Sequence, residues 1–522
     1  LCFGATSAFA AFHMLFELTM RAQMTLQRLT AGLIVFALIF TWHCSLAAPA
    51  AFGVGRETRV PDLQFQPIRL THAVTIREAV DVALRNYPAI AKKVFQLRAA
   101  KANVALAKTQ YLPNLNIDVQ ESAVSPNTIN SVVMNNVSGF DTVPVDSGPS
   151  VHKETLKPYA NNLQGLNFNW LLIDQGLRHA NDNYAYADAR TARADVNLTR
   201  LDVGFDAADA FLSSVAAKQV IISARAALEH MQSANQRAKT LVAQGLRPGA
   251  ETADWNYEVA KARIALVQAE EDTALAMIDL AEKMGVASED VDIVSEPLIQ
   301  HPAAIGNFGP IDLTSHPLAL FKSAEVDRWQ AKQVVLDKAY RPHLWLNSSV
   351  WGKGSGDPSN PLPRIGGGTI PQVFNYMVGL TYSFAFLEYF PLKAQRQMAR
   401  SNELAARADF NLAMQILERK DARARVRLSK SLQIAEQTPE LVEAARVREI
   451  QVLKRYSTGL TNMVALAAAE KALAEAQVQD AVAQVNVWRA ILALAYAQGD
   501  LRPFLQIVQI AEGDMVKMNQ GR

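Results

Sequence analysis

Residues 177–244 contain no proline and a single glycine, Gly204, and this run narrows the possible folds more than any other feature. A helix rising 1.5 Å per residue over such a stretch is about 100 Å long, well beyond an ordinary globular helix. After the turn Gly245-Leu246-Arg247-Pro248-Gly249, residues 250–284 have neither breaker, so the two runs read as one long helical hairpin. The arrangement returns at a constant offset of 214: Gly165 falls on Gly379, Gly245 on Gly459 and Gly285 on Gly499. Residues 192–198 fall on residues 406–412 with one difference, Val196 against Phe410. A constant offset means that no insertion separates the copies, as expected where helices must reach across a fixed gap.

Each copy opens with shorter helices. Thr75 and Glu78 form a capping box ahead of Ile76, Ala79, Val80 and Leu84, Tyr87-Pro88 interrupts, and a second helix ends at Tyr111-Leu112-Pro113. The counterparts are His316-Pro317 and Tyr340-Arg341-Pro342 at an offset of 229, which leaves 15 extra residues in the first copy before Gly165. Period-two alternation predicts strands over about 114–122, 163–172, 343–351 and 375–386. Two loops rich in Gly, Pro, Ser and Asn separate them, and the extra residues belong to the first. Trp170, Trp345, Trp351, Tyr382 and Phe384 fall on or near these strands, where a membrane-spanning sheet carries its interfacial aromatics. Taken alone, the strands equally suit a sheet on a soluble core. Four strands cannot close a membrane barrel, so a spanning sheet requires several chains, and three would supply twelve strands.

The remaining segments divide around these copies. Residues 1–47 read as a leader: Arg21 and Arg28 precede an apolar run at 31–42, too short for a span, and small residues at 45–47 or 48–50 offer cleavage. Met20 and Met24 are alternative starts. Cys2 and Cys44 are the only cysteines and both lie in the leader, so the mature chain is expected to be free of thiols and disulfides. Lipidation of Cys44 is the other option, though Thr41-Trp42-His43 makes a poor lipobox. Residues 48–70 read as a tail, 71–286 as repeat 1 with its hairpin at 176–285, 287–314 as a linker, and 315–500 as repeat 2 with its hairpin at 391–499. Residues 501–522 read as a tail with little pattern. Thr438-Pro439 is expected to restart or kink the second long helix.

A formal net charge of +2 gives no reason to expect nucleic acid. The nine histidines are scattered without metal-binding spacing, no Walker lysine loop occurs, and Gly366-Gly367-Gly368 lies in a hairpin loop. No enzyme, cofactor or metal is therefore expected. A periplasmic coiled-coil scaffold is the alternative that the Ala-rich helices allow, and it predicts solubility without detergent. The basic run from Arg419 to Lys430 is interleaved with Glu418 and Asp421 and reads as a solvated face. Asp206 and Asp209 occupy the copy-one positions of Lys420 and Arg423, which predicts ion pairs between these faces.

The twofold helix-strand-strand-helix repeat, the opening segment 75–88, the entry Tyr111-Leu112-Pro113-Asn114-Leu115 and the glycine turns together resemble the TolC-like outer-membrane efflux proteins of Gram-negative bacteria, over about residues 70–505. The resemblance implies a mainly α chain with a transmembrane β-barrel: a homotrimer with a 12-strand barrel in outer-membrane lipid and a 12-helix periplasmic tunnel. It implies an export duct for efflux or type I secretion. A periplasmic adaptor would dock at the helix turns, here Gly245, Leu246, Gly459 and Leu460, and an inner-membrane transporter would supply the energy. A family gate tyrosine matches Tyr456. The family's gate arginine is Thr461 here, and its two constriction aspartates are Ala465 and Ala468, which leaves Glu251 and Asp254 of the first copy as acidic candidates.

Overall fold

A computed structural model of the chain describes residues 72–125, 156–244, 249–287, 291–302, 305, 308–357 and 365–520. The expectations for the leader, the N-terminal tail and the turn at Gly245 and Leu246 lie outside the described residues. The described elements are α1 (Ile76–Asn86), α2 (Pro88–Thr109), β1 (Asn114–Val124), β2 (Tyr159–Ile173), α3 (Leu177–Ala243), α4 (Ala250–Met284), α5 (Pro317–Ala339), β3 (His343–Ser355), β4 (Val373–Ser383), α6 (Tyr389–Ser457), α7 (Met463–Ala497) and α8 (Arg502–Gln520).

The continuous helices α3 and α6 have 67 and 69 residues, about 100 Å each. Beside them lie two interrupted rods. Gly285 ends α4 with φ of +68°, and a Cβ there would stand 3.3 Å from the Asn86 carbonyl oxygen, so the start of α2 abuts the end of α4. Gly499 ends α7 with φ of +81° and abuts His316 and Pro317 at the start of α5. Both ends close with the six-residue bond of a Schellman turn: Val286 N–H to Ala281 O at 3.0 Å, and Asp500 N–H to Ala495 O at 3.2 Å. Near the strands the packing order is α2, α3, α5, α6, and at the far end it is α4, α3, α7, α6. The repeat also carries matched ion pairs, Lys93 with Asp195 at 2.7 Å and Lys322 with Asp409 at 3.6 Å.

The main core lies at the junction of the rods. Trp488, Phe211, Phe504, Leu212, Leu298 and Ile76 are all under 2% exposed, and each contributes about 2–3 kcal/mol by leaving water. This core corrects two expectations. Residues 501–520 are not a patternless tail: α8 buries Phe504, Ile507 and Val508, spaced i, i+3 and i+4, and Phe504 meets Trp488 edge-on at 6.4 Å. The inter-repeat segment is more than a linker, because Ile293 pairs in parallel with Val74 and Leu298 is buried.

Pro439 neither restarts nor breaks α6, which runs through it. A proline at 439 cannot donate to the Ala435 carbonyl. Gln484 of α7 supplies the missing donor, its Nε2 reaching that carbonyl at 3.3 Å, while the Thr438 hydroxyl donates to Asp480 at 2.6 Å. The expected pairing of Asp206 and Asp209 with Lys420 and Arg423 is also corrected. Because α7 lies between α3 and α6, Asp209 takes a two-pronged bond from Arg489 at 2.8 and 2.9 Å, and Lys420 sits over the Tyr496 ring at 5.0 Å. Burial raises the Asp206 carboxyl, opposed by Lys283 and reinforced by Asp202 and Asp209.

Candidate functional site

The four strands form one antiparallel sheet in the order β1-β2-β3-β4. Asn161 to Ile173 of β2 pair along β3 with a bulge between Leu171 and Ile173. Residues paired across an antiparallel sheet share a face, and the register therefore sorts the side chains. One face carries Ile117 opposite Leu166, Leu166 opposite Val350, and Val350 opposite Tyr376. Its members stand in the open, Ile117 at 76% and Tyr376 at 82% exposure. The other face carries Asp118, Asn167, Ser349, Asn347 and Thr381. They form a polar ladder: Asn167 Nδ2 to Asp118 at 2.6 Å, the Ser349 hydroxyl to Asn167 at 2.6 Å, and Asn347 Nδ2 to Thr381 at 2.7 Å. An apolar exposed face opposite a hydrogen-bonded polar face is the arrangement of a strand set between lipid and a water-filled lumen.

The five expected interface aromatics divide between these faces. Trp170 pairs with Leu346, and Leu346 with Leu380, while Leu344 pairs with Tyr382, which places Trp170 and Tyr382 on the apolar face. Trp345 pairs with Thr381, and Trp351 with Gly165 and Asn375, so both lie on the polar face. A lipid-facing role does not fit these two, because their parity along β3 is opposite to that of Leu344, Leu346 and Val350. Phe384 follows the last residue of β4, and its ring packs edge-on against Tyr340 at 5.3 Å. The strand expected to reach residue 386 ends at Ser383, and Phe386–Glu388 makes a short helical turn into α6.

At the other end of the long helices, α6 turns into α7 through Thr458–Asn462. Gly459 has φ of +78°, its N–H bonds Tyr456 O at 3.1 Å, and the Leu460 N–H bonds Arg455 O at 2.8 Å. Asn462 Oδ1 then accepts the Ala465 N–H at 3.0 Å and caps α7. The turn is closed by its own bonds and presents Leu460, 72% exposed, to the surroundings. Thr461 is half-buried beside it.

Tyr456 lies inside the helix packing, 3% exposed, in a cluster with Met231, Ala238, Trp255, Met463 and Leu466. Asp254 is exposed and lines an open groove of about 340 Å³ between α4 and α7, together with Tyr257, Glu258, Met463 and Ala468. Glu251 lies in the first turn of α4. The structure thus brings Asp254 and Ala468, equivalents under the 214 offset, to one groove, and Met463 belongs both to that groove and to the cluster around Tyr456.

One group here escaped the sequence reading. Glu470 of α7 is 5% exposed, and burial, opposed by Arg237 and reinforced by Glu449, pushes its carboxyl up to about 7. The repeat offset, which places Glu470 on Asn256, was the available signal.

Residues 79–286 match the family described as outer membrane efflux protein. Among curated proteins, none matches the chain by sequence. Several solved structures share the fold. The outer-membrane channel OprN is similar at a TM-score of 0.66 and 18% identity, over 81% of this chain and 89% of that one. The outer membrane protein VceC of Vibrio cholerae gives 0.64 and 16%, over 81% and 96%, and the CmeC outer membrane channel of Campylobacter jejuni gives 0.63 and 14%, over 81% and 85%.

Proposed function

We propose that the chain is a TolC-like outer-membrane efflux protein, on the match of residues 79–286 to the outer membrane efflux protein family, and that three copies build one passive export duct, with their sheets closed into a twelve-stranded barrel and their helices continuing it through the periplasm. In this reading it is an outer-membrane efflux channel, which the description of the matched family and the channel fold of its structural neighbours support. The observation that carries an oligomeric barrel is the two-faced sheet: among the described residues β1 pairs only with β2 and β4 only with β3, so both edges need partners, and four strands are too few for a closed membrane barrel, which takes about eight or more. A second copy's β1 against β4 satisfies the edge hydrogen bonds, and threefold repetition leaves none open.

Energy for export comes in this reading from an inner-membrane transporter, joined through a periplasmic adaptor that docks at the turn bearing Gly459 and Leu460 and at its counterpart, Gly245 and Leu246. The exposure of Leu460 on a self-closed turn supports docking there. Asp254, with Glu251 one turn before it, is the acidic element of the periplasmic constriction, and Tyr456 and Thr461 belong to the elements that set its width. Carboxylates lining a narrow aqueous path attract cations and repel anions.

Single-channel conductance of the detergent-extracted protein in a planar bilayer tests the reading. Discrete pores are expected, with a cation preference that weakens in the Glu251→Ala, Asp254→Ala double variant. Pores indifferent to the double variant would remove the constriction assignment. A protein soluble without detergent that makes no pores would remove the duct and leave the periplasmic scaffold.

A further inference from the structure

The two repeats differ in chemistry at one pair of facing positions. In repeat 1, Asn235 on α3 and Asn256 on α4 are joined, Asn235 Nδ2 donating to Asn256 Oδ1 at 2.9 Å. Moving both by 214 gives Glu449 on α6 and Glu470 on α7. Two ionised carboxylates accept but cannot donate, so they repel where the amides bond, unless one holds a proton.

The surroundings of Glu470 favour that proton. Its side chain is 3% exposed, and its nearest cation, the Arg237 guanidinium, stands 3.8 Å from Oε1. Oε2 is buried and has no hydrogen-bond partner among the described residues. Glu449 and His230 line the same narrow cleft, with Met231 and Leu473 closing it. The charged and titratable groups around Glu470 are therefore Arg237 and His230 from α3 and Glu449 from α6. On α7 itself, Lys471 pairs with Glu475 at 3.4 Å in the open, and no α4 residue lines the cleft.

We propose that Glu470 holds a proton beside Glu449 as a lock that keeps the returning helix α7 packed between α3 and α6, and that loss of this proton loosens the strand-distal end of repeat 2 while repeat 1, with its amide pair, stays shut. Its consequence for export rests on the reading of this end as the duct's constriction. The cluster holding Tyr456 and Met463 includes Leu466, one turn before Glu470, so movement of α7 here moves the groove wall as well.

The sign follows from burial. The packed-state carboxyl lies at about 7 against an ordinary 4.5, so the packed state binds the proton more tightly than a hydrated one. Its stability is full below the ordinary value, declines as pH rises between the two, and has lost this contribution above about 7. Acid therefore shuts this end and mild alkali loosens it.

The test compares wild type with Glu470→Gln and Glu449→Gln in the full-length, detergent-solubilised protein. Backbone hydrogen exchange over residues 463–475, corrected for the intrinsic rate, is followed from about pH 5 to about pH 9. Protection in wild type is expected to fall about tenfold or more between about pH 5 and about pH 7 and to level off above, to stay flat in Glu470→Gln, and to level off at lower pH in Glu449→Gln, where a negative neighbour has gone. A wild-type profile that is flat, or one that Glu470→Gln reproduces, would overturn the lock. Bilayer recordings separate the two readings. Pores without the exchange switch keep the duct and discard the lock, and the switch without pores keeps the lock and discards the duct.

Discussion

Gly459 and Gly499 both adopt the left-handed conformation, at φ of +78° and +81°, but they differ in what a side chain would meet. A Cβ at 459 meets nothing within 4 Å, whereas at 499 it would stand 2.8 Å from both His316 and Pro317. Gly459→Ala is expected to cost the left-handed penalty alone, about 1 kcal/mol, and Gly499→Ala at least twice that because the α7–α5 junction must also separate. Urea midpoints of the two variants check this, and equal losses would show that the junction yields without resistance. His316 belongs to the same junction. Its Nδ1 accepts the Leu318 N–H at 3.0 Å and its Nε2 faces Tyr496 O at 3.3 Å, so the neutral ring with its proton on Nε2 satisfies both, and burial holds the imidazole below its usual value. The glycines were legible from spacing alone. That one of them is a joint between rods was not, because the residues it meets lie more than 180 positions away.

The element that most departs from local rules is α6, whose interior Pro439 should break it. Gln484 bonds the orphaned Ala435 carbonyl through Nε2, and its Oε1 accepts from the His301 backbone at 3.2 Å, so one side chain ties α6, α7 and the inter-repeat segment. Gln484→Ala is expected to cost about 1–3 kcal/mol, the penalty for leaving buried polar groups unpaired. In Pro439→Ala, where residue 439 regains its N–H, the same substitution should cost less. A double-mutant cycle on thermal or urea unfolding measures the difference, and simple additivity would show that Gln484 does not serve the proline. The local rule for an interior proline predicts a kink or restart at Pro439. Repair came from a different helix, which no local pattern reports.

Across the whole molecule, the sheet's two faces commit the protein to one orientation between lipid and water. Ile117→Arg puts a charge on the apolar face and is expected to cost about 2–4 kcal/mol if near the bilayer midplane, lowering the yield of inserted oligomer. Asn116→Arg, one residue away on the polar face opposite Asn167, should insert normally and change conductance instead. Outer-membrane fractionation followed by bilayer recording separates these outcomes, and equal insertion of both variants would refute the face assignment. Trp345 and Trp351 show why the faces had to be seen. Composition alone marks an aromatic strand, but one step along the chain reverses the side on which a residue lies.

Helix length, the twofold repeat, the strand positions and the resemblance to an efflux family all rest on local periodicity and on spacing along the chain, and the amino-acid order alone determined them. Long proline-free runs and period-two alternation are properties of neighbours, so they survive without knowledge of the fold. The order of the four helix layers, the docking of α8, the bridge over Pro439 and the burial of Glu470 were decided only by tertiary structure. Each depends on groups brought together from distant positions. The desolvation that raises the Glu470 carboxyl does not exist until α3, α6 and α7 close around it.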